Sequence, residues 1–148
     1  MKENLKVREI NILSDIKNLS EVRTSVSRFL LAEGMDESQI VDEVKLAIDE
    51  ALTNIIEHAY QLQKRKKINI RLKFAKDKLT VILRDRGRSC AWEEIPEPDP
   101  KRYMREERED GWGVFLIKKL MDEITYRPNK GEHNEMVMVK YLKGGEGR

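Results

Sequence analysis

The sequence predicts an α+β protein in which helices cover one face of a mixed, mostly antiparallel sheet, forming a two-layer α/β sandwich. Five segments have the alternation of strands and three have helical spacing, in the order β-α-α-β-β-loop-α-β-β. Strands gathered around helices in this way favour helices packed on one sheet face. At 148 residues the chain can bury a core of its own, so we expect one domain over residues 1–148.

The first half of the chain predicts one strand and two helices. Alternating apolar and polar residues predict a strand from about Lys6 to Leu13. A first helix follows and ends at Gly34, a residue that commonly terminates helices. Its apolar positions at helical spacing are Leu19, Val22, Val26, Phe29 and Leu30. A second helix, capped by Asp36 or Ser38, is expected to extend to about Tyr60.

The second half predicts two hairpins separated by a long loop and a third helix. The segments INIRLKF and KLTVILRD alternate as adjacent strands that turn around Lys76-Asp77. Residues 87–110 contain three of the four prolines and little periodicity, and a loop of this length is usually functional or disordered. GVFLIKKLM predicts a helix, and EITYR and NEMVMVKYL predict closing strands that turn around Asn129-Lys130-Gly131.

Composition limits the classes of protein to consider. Apolar residues make up 39% and charged residues 38%, with a net charge of +2, which is a globular composition with no overall bias toward nucleic acid. The single Cys90 excludes an internal disulfide and suits a reducing cytoplasm. Because no apolar run nears the roughly 20 residues that span a bilayer, and no signal peptide is evident, we expect a cytoplasmic protein without membrane or direct nucleic-acid contacts.

A stripe of polar residues edges the apolar side of the second helix. Glu50, Asn54 and His58 lie four residues apart, which aligns them on a helix. The helical projection puts Glu50 toward solvent, Asn54 on the border and His58 almost within the core face. That face consists of Val44, Ala47, Ile48, Ala51, Ile55 and Ala59. Polar groups in such positions cost free energy unless solvent, protein or a ligand satisfies them.

Two further segments have features of binding loops, although each taken alone is equally typical of ordinary structure. RDRG ends a predicted strand with Asp85 and Gly87, which also suit a simple turn. Gly111-x-Gly113 opens the third helix and would let backbone N–H groups approach an anion, or form a flexible turn. The segment lacks the spacing of a dinucleotide-binding fingerprint and of a P-loop. With only two histidines, the chain does not favour a zinc site.

Together, the order and spacing of these segments resemble a known family. EALTNIIEHAY, DRG and GWGVFLIKKLMDEI are similar to the N, G1 and G2 boxes of the GHKL (histidine-kinase-like) ATPases. The match is closest to the RsbW-type anti-sigma-factor serine kinases, with their E-A-x-x-N-x-x-x-H-A-Y helix and G-x-G-x-x-L-I-x-x-x-M-D-E segment. The resemblance covers essentially the whole chain and implies the Bergerat, or histidine-kinase-like ATPase, fold.

This resemblance implies roles for the polar stripe. Asn54 corresponds to the residue that ligates Mg²⁺, an ion that prefers oxygen ligands shared with phosphates and water. Glu50 corresponds to the general base, which would accept the proton of a serine hydroxyl as it attacks the γ-phosphate of ATP. His58 matches a family position for which we expect a structural role at the helix end.

It also implies the rest of the nucleotide site. Asp85 corresponds to the residue that accepts a hydrogen bond from the adenine amino group, and Gly87 would let the base pack against backbone. Gly111 and Gly113 correspond to glycines that offer N–H groups to the phosphates. Residues 88–110 approximately correspond to the ATP lid.

The chain departs from the family pattern at three positions. Glu109-Asp110 stand where close relatives can carry an arginine that reaches the γ-phosphate, and acidic groups beside a triphosphate are unfavourable. The segment DRGRSCAW lacks the Pro-Phe that often follows the glycine. The last strand opens with HNEMVM, where some relatives have Gly-Thr.

The function that the resemblance implies is a cytoplasmic serine/threonine protein kinase of a partner-switching system. It would use ATP and Mg²⁺ to phosphorylate a STAS-domain anti-sigma-factor antagonist, hold a sigma factor or other regulator, and act as a homodimer. The alternative is a non-catalytic module of the same fold that binds ATP or ADP and switches partners.

Two further functions are disfavoured. The basic turn Lys64-Arg65-Lys66-Lys67 suggests nucleic-acid binding, but such turns are usually solvated, and no aromatic platform accompanies this one. A histidine-kinase catalytic domain is disfavoured because no helix pair with a phosphoacceptor histidine is evident.

Overall fold

The elements follow one another along the chain as predicted. The computed structural model of the protein describes residues 5–35, 39–89, 112–128 and 132–141, and within these ranges it contains five strands and three α-helices. Their bounds are β1 Lys6–Leu13, α1 Leu19–Ala32, α2 Gln39–Asn54, β2 Lys67–Ala75, β3 Lys78–Asp85, α3 Trp112–Leu120, β4 Glu123–Arg127 and β5 Asn134–Tyr141. The predicted caps at Asp36 and Ser38, the turn at 129–131 and most of the long loop lie outside the described residues.

The strands form one sheet in the order β1-β2-β3-β5-β4, and each described pair of neighbours is antiparallel. The β2–β3 hairpin turns at Lys76 and Asp77, as predicted, with φ angles of 53° and 62°. Positive φ at both central residues is the geometry that matches the twist of a tight hairpin. The predicted antiparallel character of the sheet is therefore confirmed.

One face of the sheet and the three helices enclose the core. Strand residues at alternate positions point to this face because side chains in a strand alternate with period two. The buried strand residues are Ile10, Ile12, Ile68, Ile70, Leu72, Leu79, Val81, Leu83, Met136 and Met138. The buried helix residues that meet them include Val22, Phe29, Leu30, Val44, Ile48, Leu52 and Ile117. Since α2 packs against both α1 and α3, its buried stripe is wider than predicted and includes Val41 and Leu52.

The opposite face of the sheet carries polar and charged pairs instead of a helix within the described residues. Arg71 bonds Glu9 at 2.7 Å across β1 and β2, and Arg84 bonds Glu135 at 2.8 Å across β3 and β5. Such cross-strand pairs suit a surface that no apolar layer covers. The two-layer arrangement expected from the sequence is confirmed. The assignment of residues 1–148 to a single domain stays a prediction.

The second helix changes its winding at the polar stripe. It is α-helical only to Asn54 and continues as a π-helical turn over Ile55–Ala59, closed by the Tyr60 N–H bonding the Ile55 carbonyl at 2.9 Å. A π turn holds one extra residue, so side chains after Asn54 rotate relative to an α-helix. The predicted position of His58 almost within the core face is therefore wrong, because His58 is exposed and Ile56 is buried.

Among the described helices, none combines the length and the apolar character needed to cross a membrane.

Candidate active site

The last turns of α2 place Glu50 and Asn54 on one flank of the helix. Both side chains are half-buried, and one turn of about 6 Å separates them along the helix axis. The neighbouring Asp49 accepts a hydrogen bond from Arg23 of α1 at 2.7 Å, which ties this part of α2 to α1. The carboxylate of Glu50 thus lies on a helix that packs against both α1 and α3.

The side chain of Asn54 has an unsatisfied polar group. Its Nδ2 is buried and has no hydrogen-bond partner among the described residues. Leaving such a group unpaired costs about 1–3 kcal/mol, so Asn54 is a candidate to bind a ligand or a group outside the described residues. A half-turn of the amide exchanges its nitrogen and oxygen, so either a donor or an oxygen ligand can be presented there.

Asp85 ends β3 as a nearly enclosed carboxylate with 5% of its surface exposed. Its Oδ1 accepts hydrogen bonds from the Gly87 N–H at 2.8 Å and from the Asn134 side-chain amide at 3.0 Å. Burial raises the pKa of Asp85, and these two hydrogen bonds oppose the rise. Among the described residues no hydrogen bond reaches Oδ2, so this oxygen is available to accept one from a ligand.

Asn134 is the site residue that the sequence analysis missed. It opens β5 opposite Asp85 in the strand register and is 4% exposed. Besides Asp85, its Nδ2 donates to the Gly87 carbonyl at 2.9 Å, so one amide holds both ends of the turn. The only signal in the sequence was HNEMVM itself, where a side-chain amide stands in place of the Gly-Thr of some relatives.

Gly87 allows the end of β3 to touch the π-helical turn. A Cβ at this position would lie 2.5 Å from the carbonyl oxygen of Ala59 and 2.6 Å from its carbonyl carbon. The same carbonyl accepts the Arg88 N–H at 2.8 Å. This contact couples the Asp85 turn to the helix that carries Asn54, which gives Gly87 a steric role in addition to the base packing expected from the sequence.

Replacing Gly87 by alanine is expected to weaken both folding and nucleotide binding. Backbone atoms of Ala59 cannot rotate away from the new methyl group, so β3 and the helix must separate at a cost of about 1–3 kcal/mol. Chemical denaturation measures the stability, and calorimetry measures nucleotide affinity. Gly34→Ala is the comparison for backbone strain without a steric contact, because its φ is 91° and nothing lies within 4 Å of a Cβ there. It should lose stability but keep the parental nucleotide affinity. Unchanged stability and affinity in Gly87→Ala would contradict this steric role.

The remaining predicted site residues are only partly described. Gly113 lies in the first turn of α3, while Gly111 and the segment 90–111, which contains most of the expected lid, lie outside the described residues. Within the described part of the chain, no group of three or more His, Cys, Asp or Glu residues could hold a metal ion.

Comparison with known proteins identifies the family to which this sequence and fold belong. Residues 12–140 match the model of the histidine kinase-like ATPase domain. The serine-protein kinase RsbW of Bacillus subtilis (strain 168) is 29% identical over 148 residues, covering 97% of this chain and 91% of its own. RsbW of Staphylococcus aureus (strain MRSA252) is 31% identical over 140 residues, covering 91% and 86%.

A crystal structure of the RsbU and RsbW domains of a Mycobacterium tuberculosis protein has the same fold, with a TM-score of 0.66 at 19% sequence identity. The match covers 93% of this chain and 32% of that chain. The resemblance expected from the three sequence boxes is confirmed by these matches. The chain belongs to the histidine kinase-like ATPase family, as a relative of the RsbW serine-protein kinases.

Proposed function

We propose that the protein binds ATP with Mg²⁺ between α2 and the end of β3 and transfers the γ-phosphate to a serine of a partner protein. The observation that supports this most strongly is the pairing, one helical turn apart, of the Glu50 carboxylate with the unsatisfied amide of Asn54. The relatives named above are serine-protein kinases, which agrees with the kinase class expected from the sequence.

The adenine ring is placed by the turn at the end of β3. The Oδ2 atom of Asp85 accepts the 6-amino group, while Gly87 and Asn134 fix Oδ1. A hydrogen bond to a largely buried charged group contributes about 1.5–3 kcal/mol. Guanine has a carbonyl at the same position and would face the carboxylate with an acceptor, so this arrangement supports selectivity for adenine.

Asn54 would hold the magnesium ion through its amide oxygen, with phosphate oxygens and water as the other ligands. The amide is a candidate for this role because its Nδ2 is buried without a hydrogen-bond partner among the described residues and a half-turn of the amide would bring its oxygen to that position. When bound, Mg²⁺ neutralises charge on the phosphates and orients the γ-phosphate for transfer.

Replacing Asn54 by alanine is expected to remove the dependence of ATP affinity on Mg²⁺. Calorimetric titrations with ATP in Mg²⁺ and in EDTA should give nearly equal affinities in the variant, and a preference for Mg²⁺ in the parent protein. Folding stability should not fall, because the substitution removes a buried unsatisfied group. Thr53→Ala, one residue away, is the control and should behave as the parent. A variant that kept the full Mg²⁺ dependence would exclude Asn54 as the metal ligand.

In the transfer step, Glu50 takes the proton of the attacking serine hydroxyl. The serine oxygen forms a bond to the γ-phosphorus as the bond to the β-phosphate bridging oxygen breaks, and ADP leaves. The proton ends on the Glu50 carboxylate and passes to solvent. A base one helical turn from the metal-binding amide lies beside the phosphates, which is where the acceptor must enter.

The partners that we propose are a STAS-domain anti-sigma-factor antagonist as the substrate and a sigma factor or another regulator as the protein held inactive. We also propose that the protein acts in the cytoplasm as a homodimer. The identity to RsbW kinases over most of the chain supports these assignments, and the single cysteine suits a reducing compartment.

The second candidate is a nucleotide-dependent switch without phosphate transfer, which Glu109-Asp110 in place of an arginine favours. The two candidates are separated by incubating the protein with γ-labelled ATP, Mg²⁺ and a STAS-domain protein from the same organism. A kinase places label on a serine of the STAS-domain protein. Tight nucleotide binding with no labelled serine would instead establish the switch.

A further inference from the structure

A strongly basic cavity lies beside the proposed adenine site. It has a volume of about 630 Å³ and lies between the segment that follows α2 and the end of β3. Five of its lining side chains are cationic: Arg65, Lys66, Lys67, Arg86 and Arg88. None of the lining residues is acidic. Residues from two distant parts of the chain thus form one concentrated positive surface, called the basic cavity below.

The five cations lie outside the ion pairs recorded among the described residues. None of them takes part in a salt bridge there, and the neighbouring Lys64 instead lies 3.6 Å from Asp15. Like charges gathered without partners repel one another and lower the stability of the folded state. An anionic ligand bound in the basic cavity would offset this repulsion between the cations.

The fold holds the basic cavity in a fixed shape. The Tyr60 hydroxyl donates to the Lys67 carbonyl at 2.6 Å and accepts the Arg86 N–H at 2.7 Å, so it joins the two walls. Gln61, Leu62 and Arg65 have positive φ angles of 53°, 67° and 68°. Left-handed backbone at non-glycine residues is costly and is found mainly where the surrounding structure fixes it, often at binding sites. The cationic side chains therefore project from a preformed backbone.

The basic cavity is also close to the proposed reaction. Its wall contains Ala59 and Gly87, the same contact that positions the Asp85 turn. Ala59 follows Glu50 by nine residues, which is roughly 13 Å along the helix. A protein that presents a serine to Glu50 would extend over this distance with about four residues of extended chain.

We propose that the basic cavity binds an acidic segment of the partner protein whose serine is phosphorylated. This inference rests on the proposed kinase function and names the chemistry of its protein substrate. A protein segment fits better than nucleic acid, because the one aromatic lining residue, Tyr60, is only 6% exposed and offers no face for base stacking. The net charge of +2 likewise provides no extended basic track for a phosphate backbone.

The first test measures steady-state phosphorylation of the STAS-domain protein by the double variant Arg65→Gln/Lys67→Gln. Both side chains are exposed, so the substitutions leave the hydrogen bonds of the fold intact. We expect the KM for the protein substrate to rise at least about tenfold, a loss of 1.4 kcal/mol, with kcat and ATP affinity unchanged. The matched control Lys78→Gln/Lys118→Gln removes two exposed charges elsewhere and should leave KM within about twofold of the parent. Equal effects in both double variants, or an unchanged KM in the first, would overturn the inference.

The second test does not depend on kinase activity. Fluorescence anisotropy with a labelled octaglutamate peptide at low salt should give binding that the Arg65→Gln/Lys67→Gln variant loses and the control variant keeps. Absence of peptide binding in a folded protein that still binds ATP refutes this inference. Labelling of the STAS-domain serine by the same protein would leave the kinase proposal standing. A mixed-sequence 20-nucleotide RNA is the competing ligand. If it bound more tightly than the octaglutamate peptide and the same variant lost this binding, the basic cavity would be a nucleic-acid site and the proposal of an acidic protein segment would be overturned.

Discussion

Replacing Glu50 by glutamine is expected to reduce phosphate transfer by about 10²–10⁴-fold, the usual contribution of a positioned general base. Glutamine has the same shape but cannot accept the serine proton at neutral pH. Because Glu50 is half-buried on the α2 flank and the swap is nearly isosteric, folding and nucleotide affinity should stay close to those of the parent. Initial rates of serine labelling at saturating ATP measure the effect on transfer.

The matched control is Glu57→Gln, which removes an exposed carboxylate from the same helical segment. It should transfer phosphate at the parental rate. If Glu50→Gln retained more than about a tenth of that rate, the base would have to be another group. If it lost nucleotide affinity instead, Glu50 would act in binding rather than in proton transfer.

Replacing Asp85 by asparagine is expected to remove the preference for adenine. The new amide can keep its oxygen toward the Gly87 N–H and the Asn134 amide, which turns its nitrogen toward the ligand. A donor would then face the adenine amino group, so ATP affinity should fall by about 10–100-fold. GTP presents a carbonyl at that position, so its affinity should rise relative to that of ATP. Competition titrations with both nucleotides measure the change in selectivity.

The pH dependence of ATP binding is a second test of the role of Asp85. Burial raises the pKa of Asp85 above its ordinary value, so acidification neutralises this carboxylate earlier than an exposed one. ATP affinity of the parent should weaken as the pH is lowered from neutral toward this raised pKa, and Asp85→Asn should lack that component. The control is Asp42→Asn, which removes an exposed carboxylate of α2 and should keep both the selectivity and the pH dependence. Unaltered ATP preference in Asp85→Asn would contradict the adenine contact.

The strands could be predicted from sequence because apolar residues recur at alternate positions, although β3 and β5 also bury Ile82 and Val139 on the opposite face. β1 occupies Lys6–Leu13, the range that the alternation predicts, since only one of its faces meets the core. The helical spacing of α1 likewise identifies its buried residues, from Leu19 to Leu30, because one side of the helix packs on the sheet. The local spacing of apolar residues is enough to predict a strand or helix that has a single apolar face.

Features that depend on contacts between distant segments could not be predicted in this way. The π-helical turn rotates His58 outward, and a projection that assumes an α-helix places it wrongly. Asn134 becomes a partner of Asp85 only through the β3–β5 register, which sets residues 49 positions apart side by side. The basic turn at 64–67 looks solvated in the sequence, and only the fold brings Arg86 and Arg88 to it. In each case the deciding neighbour lies far away in the chain.

The central claim is that an adenine nucleotide binds between the α2 flank at Asn54 and the Asp85 turn. Isothermal titration calorimetry of ATP with Mg²⁺ into the folded protein tests this claim most directly. We predict one nucleotide bound per chain, with ADP also bound and GTP bound far more weakly. A well-folded sample that gives no binding heat with ATP or ADP at several temperatures, or that binds ATP and GTP equally, would contradict it.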